Sequence, residues 1–257
     1  MRLFIFVLYF FCFAFNCFAY NIEPYSGQSY AESKKRFNLV FCSLSYPNKE
    51  DFKKDTEALI QRLKQTKPFD EFNDFGLWYV KILREEEAEV FKRTSDFPPL
   101  KVRNDFLEDI FAKLKANYKL IIIDAGGSTS CAELSSVDKT SLIILGKTRY
   151  KDKNSFTKGF LHELGHSLGL RDECINCQQL CPPGEPNCAI TKEEAEEWWG
   201  DLVGNDFRVN YISGCCGNKD YIRPTIASLM NDPDKAGDFG PVNERYLRKI
   251  LEGLREK

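Results

Sequence analysis

Three runs of this chain are almost wholly apolar: "FNLVFCSLSY" at 37–46, "KLIIIDAGG" at 119–127 and "SLIILG" at 141–146. Each is too short to cross a bilayer and is weighted towards β-branched and aromatic residues. Such runs, with little polar alternation, read as strands covered on both faces. "FGLWYVKIL" (75–83) reads as a further strand. Between them, "KEDFKKDTEALIQRLKQT" carries Phe52, Leu59, Ile60 and Leu63 at helical spacing. "KVRNDFLEDIFAKLKANY" does the same with Phe106, Leu107, Ile110, Phe111 and Leu114. Strands alternating with helices predict a twisted mixed β-sheet with packed helices. The last of these helices, "SFTKGFLHELGHSLG", has Ser155 as its expected N-cap.

After Gly169 the texture changes. Residues 171–239 are rich in Cys, Gly, Pro and Asn and show no long periodic element. A stretch of that length without regular structure is normally functional or disordered, and its cysteines point to an ordered, stapled lobe. The chain closes on "GPVNERYLRKILEGLREK", whose Val242, Tyr246, Leu247, Ile250, Leu251 and Leu254 form one apolar helical face. The expected plan is a single α+β domain over 36–257, with an upper sheet lobe at 36–169 and a disulfide-rich, irregular lower lobe at 170–257.

The first nineteen residues read as a secretory signal: Arg2, an apolar run from Leu3 to Phe15, then Cys17-Phe18-Ala19 with cleavage expected after Ala19. The apolar run is short for a membrane span, so no stable span is expected after cleavage. Residues 20–35 form an N-terminal extension, which could also be a short propeptide ending at Lys34-Lys35-Arg36. The net charge of −2 and the lack of a basic stripe exclude nucleic acid as the expected partner. Ten cysteines include Cys12 and Cys17 of the leader. The others, Cys42, Cys131, Cys174, Cys177, Cys181, Cys188, Cys215 and Cys216, are even in number, as a disulfide framework in a secreted or periplasmic protein would require. The C-x2-C-x3-C-x6-C spacing from Cys174 to Cys188 is also compatible with a structural zinc site.

The chain has two histidines, and both lie in "HELGHSLGLRD" (162–172). On a helix, His162 and His166 project from one face and can share one Zn2+. Glu163 is rotated off that face and is placed to act as general base on zinc-activated water, then as proton donor to the leaving amine. Gly169 permits the chain to turn back, and Asp172 follows as third ligand, giving H-E-x-x-H-x-x-G-x-x-D. Glu173 is the competing third ligand. Met230 is the sole methionine besides Met1. An extended HExxH followed by such a methionine is the pairing seen in metzincins, where the methionine lies beneath the metal. Tyr211 and Tyr221 flank this region and are candidates for contacting the oxyanion or substrate. Arg223 is a candidate organiser of the Met turn. The segment from Cys131 to Val137 is the candidate sheet edge for an extended substrate. Trp198-Trp199-Gly200 offers either a hydrophobic subsite or a buried anchor.

The order of these elements, with "FLHELGHSLGLRDE", "YIRPTIASLM" and "FGPVNERYL", resembles the immunoglobulin-A-peptidase-type metallopeptidases (family M64) over most of residues 36–252. The resemblance implies a zincin fold, His162, His166 and Asp172 as zinc ligands, Glu163 as base and Met230 in the turn. It departs at Cys174, where that family usually has tyrosine. The function expected is a secreted zinc-dependent endopeptidase acting on a protein or peptide. The alternatives are a catalytically silent binding module of the same fold and a disulfide-stapled structural protein with zinc for stability alone. N-terminal sequencing of the exported protein is expected to begin at Tyr20; a start at Met1 would mean that the leader is retained.

Overall fold

The computed structural model describes residues 21–25, 29–30, 36–72, 74–80, 82, 86–96, 98–136, 138–175 and 181–255. The expected signal peptide and the Lys34-Lys35 part of the expected propeptide junction lie outside these residues. Among the described residues no helix is long and apolar enough to cross a membrane.

The apolar runs form the centre of a six-stranded sheet. Its strands are β1 (Ile22–Pro24), β2 (Phe37–Leu44), β3 (Phe75–Val80), β6 (Tyr118–Asp124), β7 (Ser130–Ala132) and β8 (Ser141–Gly146), in the order β1-β3-β2-β6-β8-β7. The four inner strands β3, β2, β6 and β8 are parallel, while β1 and β7 run antiparallel at the two edges. Residues 22–24 of the expected extension thus supply one edge of the sheet. The candidate substrate edge supplies the other, through Ser130–Ala132.

Alternation along each strand divides the core in two. Leu39, Phe41, Ile121, Ile123, Ile143 and Leu145 face one cluster, which they share with helix α1 (Lys49–Lys64), helix α4 (Lys153–Ser167) and helix α6 (Pro241–Arg255). Val40, Cys42, Leu44, Leu120, Ile122 and Ile144 face the other, closed by Phe106, Ile110 and Leu114 of helix α3 (Asn104–Leu114). Both faces are covered, which is why these strands carry no polar alternation.

Element ends follow local chemistry. Asn48 caps α1, accepting from the Asp51 N–H at 2.8 Å. The cap of α4 is Asp152, with Ser155 at N3 of a reciprocal capping box, correcting the expected Ser155 cap. Asp152 accepts from the Ser155 N–H at 2.8 Å and the Ser155 hydroxyl accepts from the Asp152 N–H at 3.1 Å, so two otherwise unpaired donors are satisfied together. The second helical run is shorter than its periodicity suggests. Lys101 and Val102 belong to β5 (Leu100–Val102), paired with β4 (Phe91–Arg93) beyond the one-turn α2 (Glu87–Val90), and Lys115 adopts a left-handed conformation that ends α3.

The cysteine-rich stretch is less irregular than its composition suggests. It contains helix α5 (Lys192–Trp199), capped by Thr191, and a hairpin of β9 (Ile212–Cys215) and β10 (Asn218–Arg223). An eight-residue helix spans barely two turns, too few for a periodic signal to emerge. Trp199 is fully buried with Ala189, Ala195, Val209 and Val242, so the tryptophan pair anchors this lobe rather than forming an open subsite.

Disulfides join Cys181 to Cys216 and Cys188 to Cys215, and Cys174 is also disulfide-bonded. Cys177 lies outside the described residues. Cys42 and Cys131 are free and buried. The even count therefore overstates the pairing: both sit on sheet strands, where they pack as small hydrophobes in the α3-side core. Oxidation of Cys174, Cys181 and Cys188 removes three of the four thiolates that a structural zinc site would need.

Lys119 of β6 is fully buried, donating from Nζ to the carbonyls of Ser136 and Lys139 at 2.7 Å each. Burial lowers its pKa from 10.5 to about 8, against the opposing pull of Asp138 and Glu133. Between those two values the unfolded chain holds a proton that the folded chain has lost, so stability rises with pH across that window. Urea unfolding of the wild type, referenced to Lys119→Met, is expected to show this gain from pH 7.5 to pH 10. A flat difference would remove the lysine from the account.

Candidate metal centre

Helix α4 is buried along Phe156, Phe160, Leu161 and Leu164, which sets the rotation of its remaining face. His162 and His166 share that face, four residues apart, with Nε2 atoms 3.2 Å from each other. Their outer nitrogens are already committed. His162 donates from Nδ1 to the Leu229 carbonyl at 2.8 Å, and His166 donates from Nδ1 to the Leu170 carbonyl at 2.9 Å. A carbonyl can only accept, so each neutral ring carries its proton on Nδ1 and turns the Nε2 lone pair inward.

The helix ends at Gly169, whose φ of +100° lies in the left-handed region that glycine adopts without steric cost. The chain then doubles back and brings Asp172 Oδ1 to 3.4 Å from both Nε2 atoms. Two lone pairs and a carboxylate oxygen converge on one point, an arrangement that favours a cation. Burial opposes charge on His166, yet the hydrogen bond and charge of Asp172, with the charge of Glu163, raise its pKa to about 9, so the carboxylates that favour a cation at this point also favour a proton on Nε2 in its place. Burial likewise acts to raise the Asp172 pKa, but the hydrogen bond and charge of His166, with the charge of His162, hold it below the ordinary value.

Glu163 is buried, 7% exposed, with its carboxyl under the influence of both histidines, Asp172 and Arg149. Burial is the largest influence and raises its pKa above that of a free glutamate.

Glu173 turns away from the three converging donors. Its carboxylate is fully buried and accepts from Ser228 Oγ at 2.6 Å, Asn243 Nδ2 at 2.7 Å, Asn187 Nδ2 at 2.9 Å and Thr225 Oγ1 at 3.2 Å. Desolvation raises its pKa, with the four donors acting in the opposite direction. With those partners its role is structural: it ties the Asp172 loop to the segment before Met230 and to α6.

Met230 is fully buried, and its backbone carbonyl accepts from the Glu173 N–H at 2.8 Å. A Cβ added at Gly165 would lie 2.6 Å from Met230 Sδ. The sulfur thus packs against the helix between the two histidines, and only glycine at 165 allows that approach. Arg223 is also structural, donating from Nη1 to the carbonyls of Gly214 at 2.6 Å and Glu173 at 3.0 Å, and from Nε to Thr225 at 3.1 Å.

The two candidate tyrosines pack in the lower lobe. Tyr211 packs beside Trp199, where a Cβ at Gly200 would meet its hydroxyl at 3.0 Å, and Tyr221 packs on the disulfide cluster. The candidate sheet edge does reach the helix: the Ser135 N–H donates to the His166 carbonyl at 3.3 Å. Asn187 and Asn243, which complete the Glu173 network, were not legible as functional residues. Their only sequence signal is that Asn243 lies in the Gly-Pro-Val-Asn tail.

Removing the Glu173 carboxylate would take the acceptor from four buried hydrogen bonds, with Asn187 and Asn243 keeping only their second bonds to the Arg171 and Phe239 carbonyls. Glu173→Ala is expected to cost about 1–3 kcal/mol, the penalty of leaving buried donors without an acceptor. Urea unfolding at fixed metal concentration measures it, and a loss below about 1 kcal/mol would mean that water replaces the carboxylate.

No protein-family model matches the chain, and a search of the curated proteins finds no match in sequence. The likeness to family M64 therefore rests on the motif residues themselves. Among solved structures the chain is similar to the archaemetzincin of Methanopyrus kandleri, at 12% identity, covering 85% of this chain and 97% of that one, with a TM-score of 0.39.

Proposed function

We propose that the protein is a zinc-dependent endopeptidase whose metal is held by His162 Nε2, His166 Nε2 and an Asp172 carboxylate oxygen. One observation carries this reading: the spacing of the three donors. Tetrahedral zinc with bonds of about 2.0–2.1 Å sets its ligands roughly 3.3–3.4 Å apart. Here the separations are 3.2, 3.4 and 3.4 Å. Two imidazoles and one carboxylate are also a donor set that zinc accepts, and three protein ligands are the number found in catalytic rather than structural sites. When bound, zinc supplies Lewis acidity and lowers the pKa of coordinated water to about 7.

The chain's own residues do the rest. Leu229 and Leu170 hold the two imidazoles in the tautomer that binds metal. Asp172 supplies the third donor and offsets part of the cation's charge. Glu163 accepts the proton of the attacking water on its carboxylate and returns it to the amine nitrogen as the amide C–N bond breaks. Its burial suits both steps, because a raised pKa makes the carboxylate a better base and its conjugate acid still able to donate. β7 lies at the open edge of the sheet, so an extended peptide can add beside it. Export through the leader fits a protein stapled by disulfides.

The test is Glu163→Ala beside the wild type on a general protein substrate, with zinc content measured for both. The variant is expected to keep zinc and fold and to lose activity by orders of magnitude. Equal activity would overturn the mechanism, and zinc-bound wild type without activity would favour a binding module. Asp172→Ala is expected to lose stoichiometric zinc. Retention would assign the third ligand elsewhere.

A further inference from the structure

The loop that presents Asp172 is gripped from behind by the Cys215-Cys216-Gly217 turn between β9 and β10. The Cys216 N–H donates to the Asp172 carbonyl at 2.9 Å, and the Gly217 N–H donates to the Cys174 carbonyl at 3.0 Å. Cys215 Sγ lies 3.2 Å from the same Asp172 oxygen. The turn depends on Cys216 at φ +51°, a left-handed conformation that residues with a Cβ keep only when their surroundings impose it. The two-residue hairpin turn calls for it, with Gly217 also left-handed at φ +72°, and the bridge to Cys181 adds a covalent tie that holds it. We propose that the Cys181–Cys216 disulfide positions Asp172 and is a thiol-sensitive control on the metal affinity of the site. This rests on the zinc reading above.

Access favours that bridge over its neighbour. Cys188, Cys215 and Cys216 are at most 1% exposed, whereas Cys181 is only partly buried. A dithiol reductant therefore meets the Cys181 sulfur first. Its thiolate attacks Cys181 Sγ, the S–S bond breaks, and Cys216 leaves as a thiolate that takes up a proton. The second thiol of the reductant then attacks the mixed disulfide and releases Cys181 as a thiol. Two electrons pass from the dithiol, which becomes a disulfide, to the protein. Cys216 then keeps its costly left-handed conformation by the hairpin turn alone, and the hold of its N–H on the Asp172 carbonyl is weakened. The sulfurs of Cys188, Cys215 and Cys216 lie within 4.8 Å of one another. The released Cys216 thiolate can thus attack the Cys188–Cys215 bridge in turn and extend the loosening to the sulfur that touches Asp172.

Zinc affinity, measured by competition with a chromophoric chelator, distinguishes this from simple stapling. Cys181→Ala/Cys216→Ala is expected to bind zinc about 10- to 100-fold more weakly than wild type, the usual effect of losing a group that orients a ligand. Cys181→Ala/Cys216→Gly also lacks the bridge but accepts the left-handed turn freely, so it is expected to recover most of that loss. If both bind zinc as wild type does, the proposal is overturned. In a second measurement, graded dithiothreitol is added to the zinc-loaded wild type, and free thiols are alkylated and mapped. Cys181 and Cys216 are expected to be labelled first, with zinc released in step. Zinc retained on protein alkylated at both cysteines overturns the proposal, as does earlier opening of Cys188–Cys215. This measurement also decides the matter should the alanine pair fail to fold. A wild type that binds no zinc overturns the metal reading together with this one, whereas the other outcomes bear on the bridge alone.

Discussion

One buried carboxylate joins the parts of this molecule that must agree for a metal centre to exist. Glu173 accepts hydrogen bonds from Asn187 in the disulfide lobe, from Thr225 and Ser228 before Met230, and from Asn243 in α6. Arg223 holds the same residue by its carbonyl, and the Glu173 N–H reaches Met230. A desolvated carboxylate without donors would be costly, and fully satisfied it enforces one arrangement of everything around it. Asp172, the preceding residue, inherits that fixed position. Geometry at the three converging donors is therefore set largely by a group that does not point at them.

The helix that carries the histidines is fixed from the opposite side. Phe160, Leu161 and Leu164 pack into the core shared with β8 and α1, so rotation of α4 would expose them. Its remaining face is trimmed to fit: glycine at 165 admits Met230, and glycine at 169 reverses the chain. Sheet packing thus determines where the histidines point, and the Glu173 network determines where the aspartate meets them. Helix and loop are then joined through Leu229 and Leu170, whose carbonyls orient the rings.

The parallel strands were legible because burial on both faces leaves an unbroken apolar run, and α1, α3 and α6 because their faces repeat at helical spacing. Short elements were not. The eight residues of α5 and the three-residue strands β1, β4, β5 and β7 carry too few residues for periodicity to register, and they form because neighbours pair with them. The N-cap of α4 was misplaced by three residues because Asp152 and Ser155 both suit a cap, and only their reciprocal bonds assign the roles. The cysteine count misled in a similar way: Cys42 and Cys131 are indistinguishable from bridge partners until the sheet places them on strands in the hydrophobic core.

At the site, sequence alone was enough to bring His162 and His166 to one helical face and to end that helix at Gly169, because helical repeat and glycine's backbone freedom are local properties. It also singled out Met230, by scarcity. It favoured Asp172 by spacing but kept Glu173 as a competitor, since adjacent acids look alike in a chain. Tertiary structure separated them by surrounding Glu173 with four donors and leaving Asp172 facing two imidazole lone pairs. It likewise drew Tyr211 and Tyr221 into the tryptophan and disulfide clusters. Those outcomes depend on contacts between residues as much as seventy positions apart, such as Glu173 with Asn243, which no local pattern encodes.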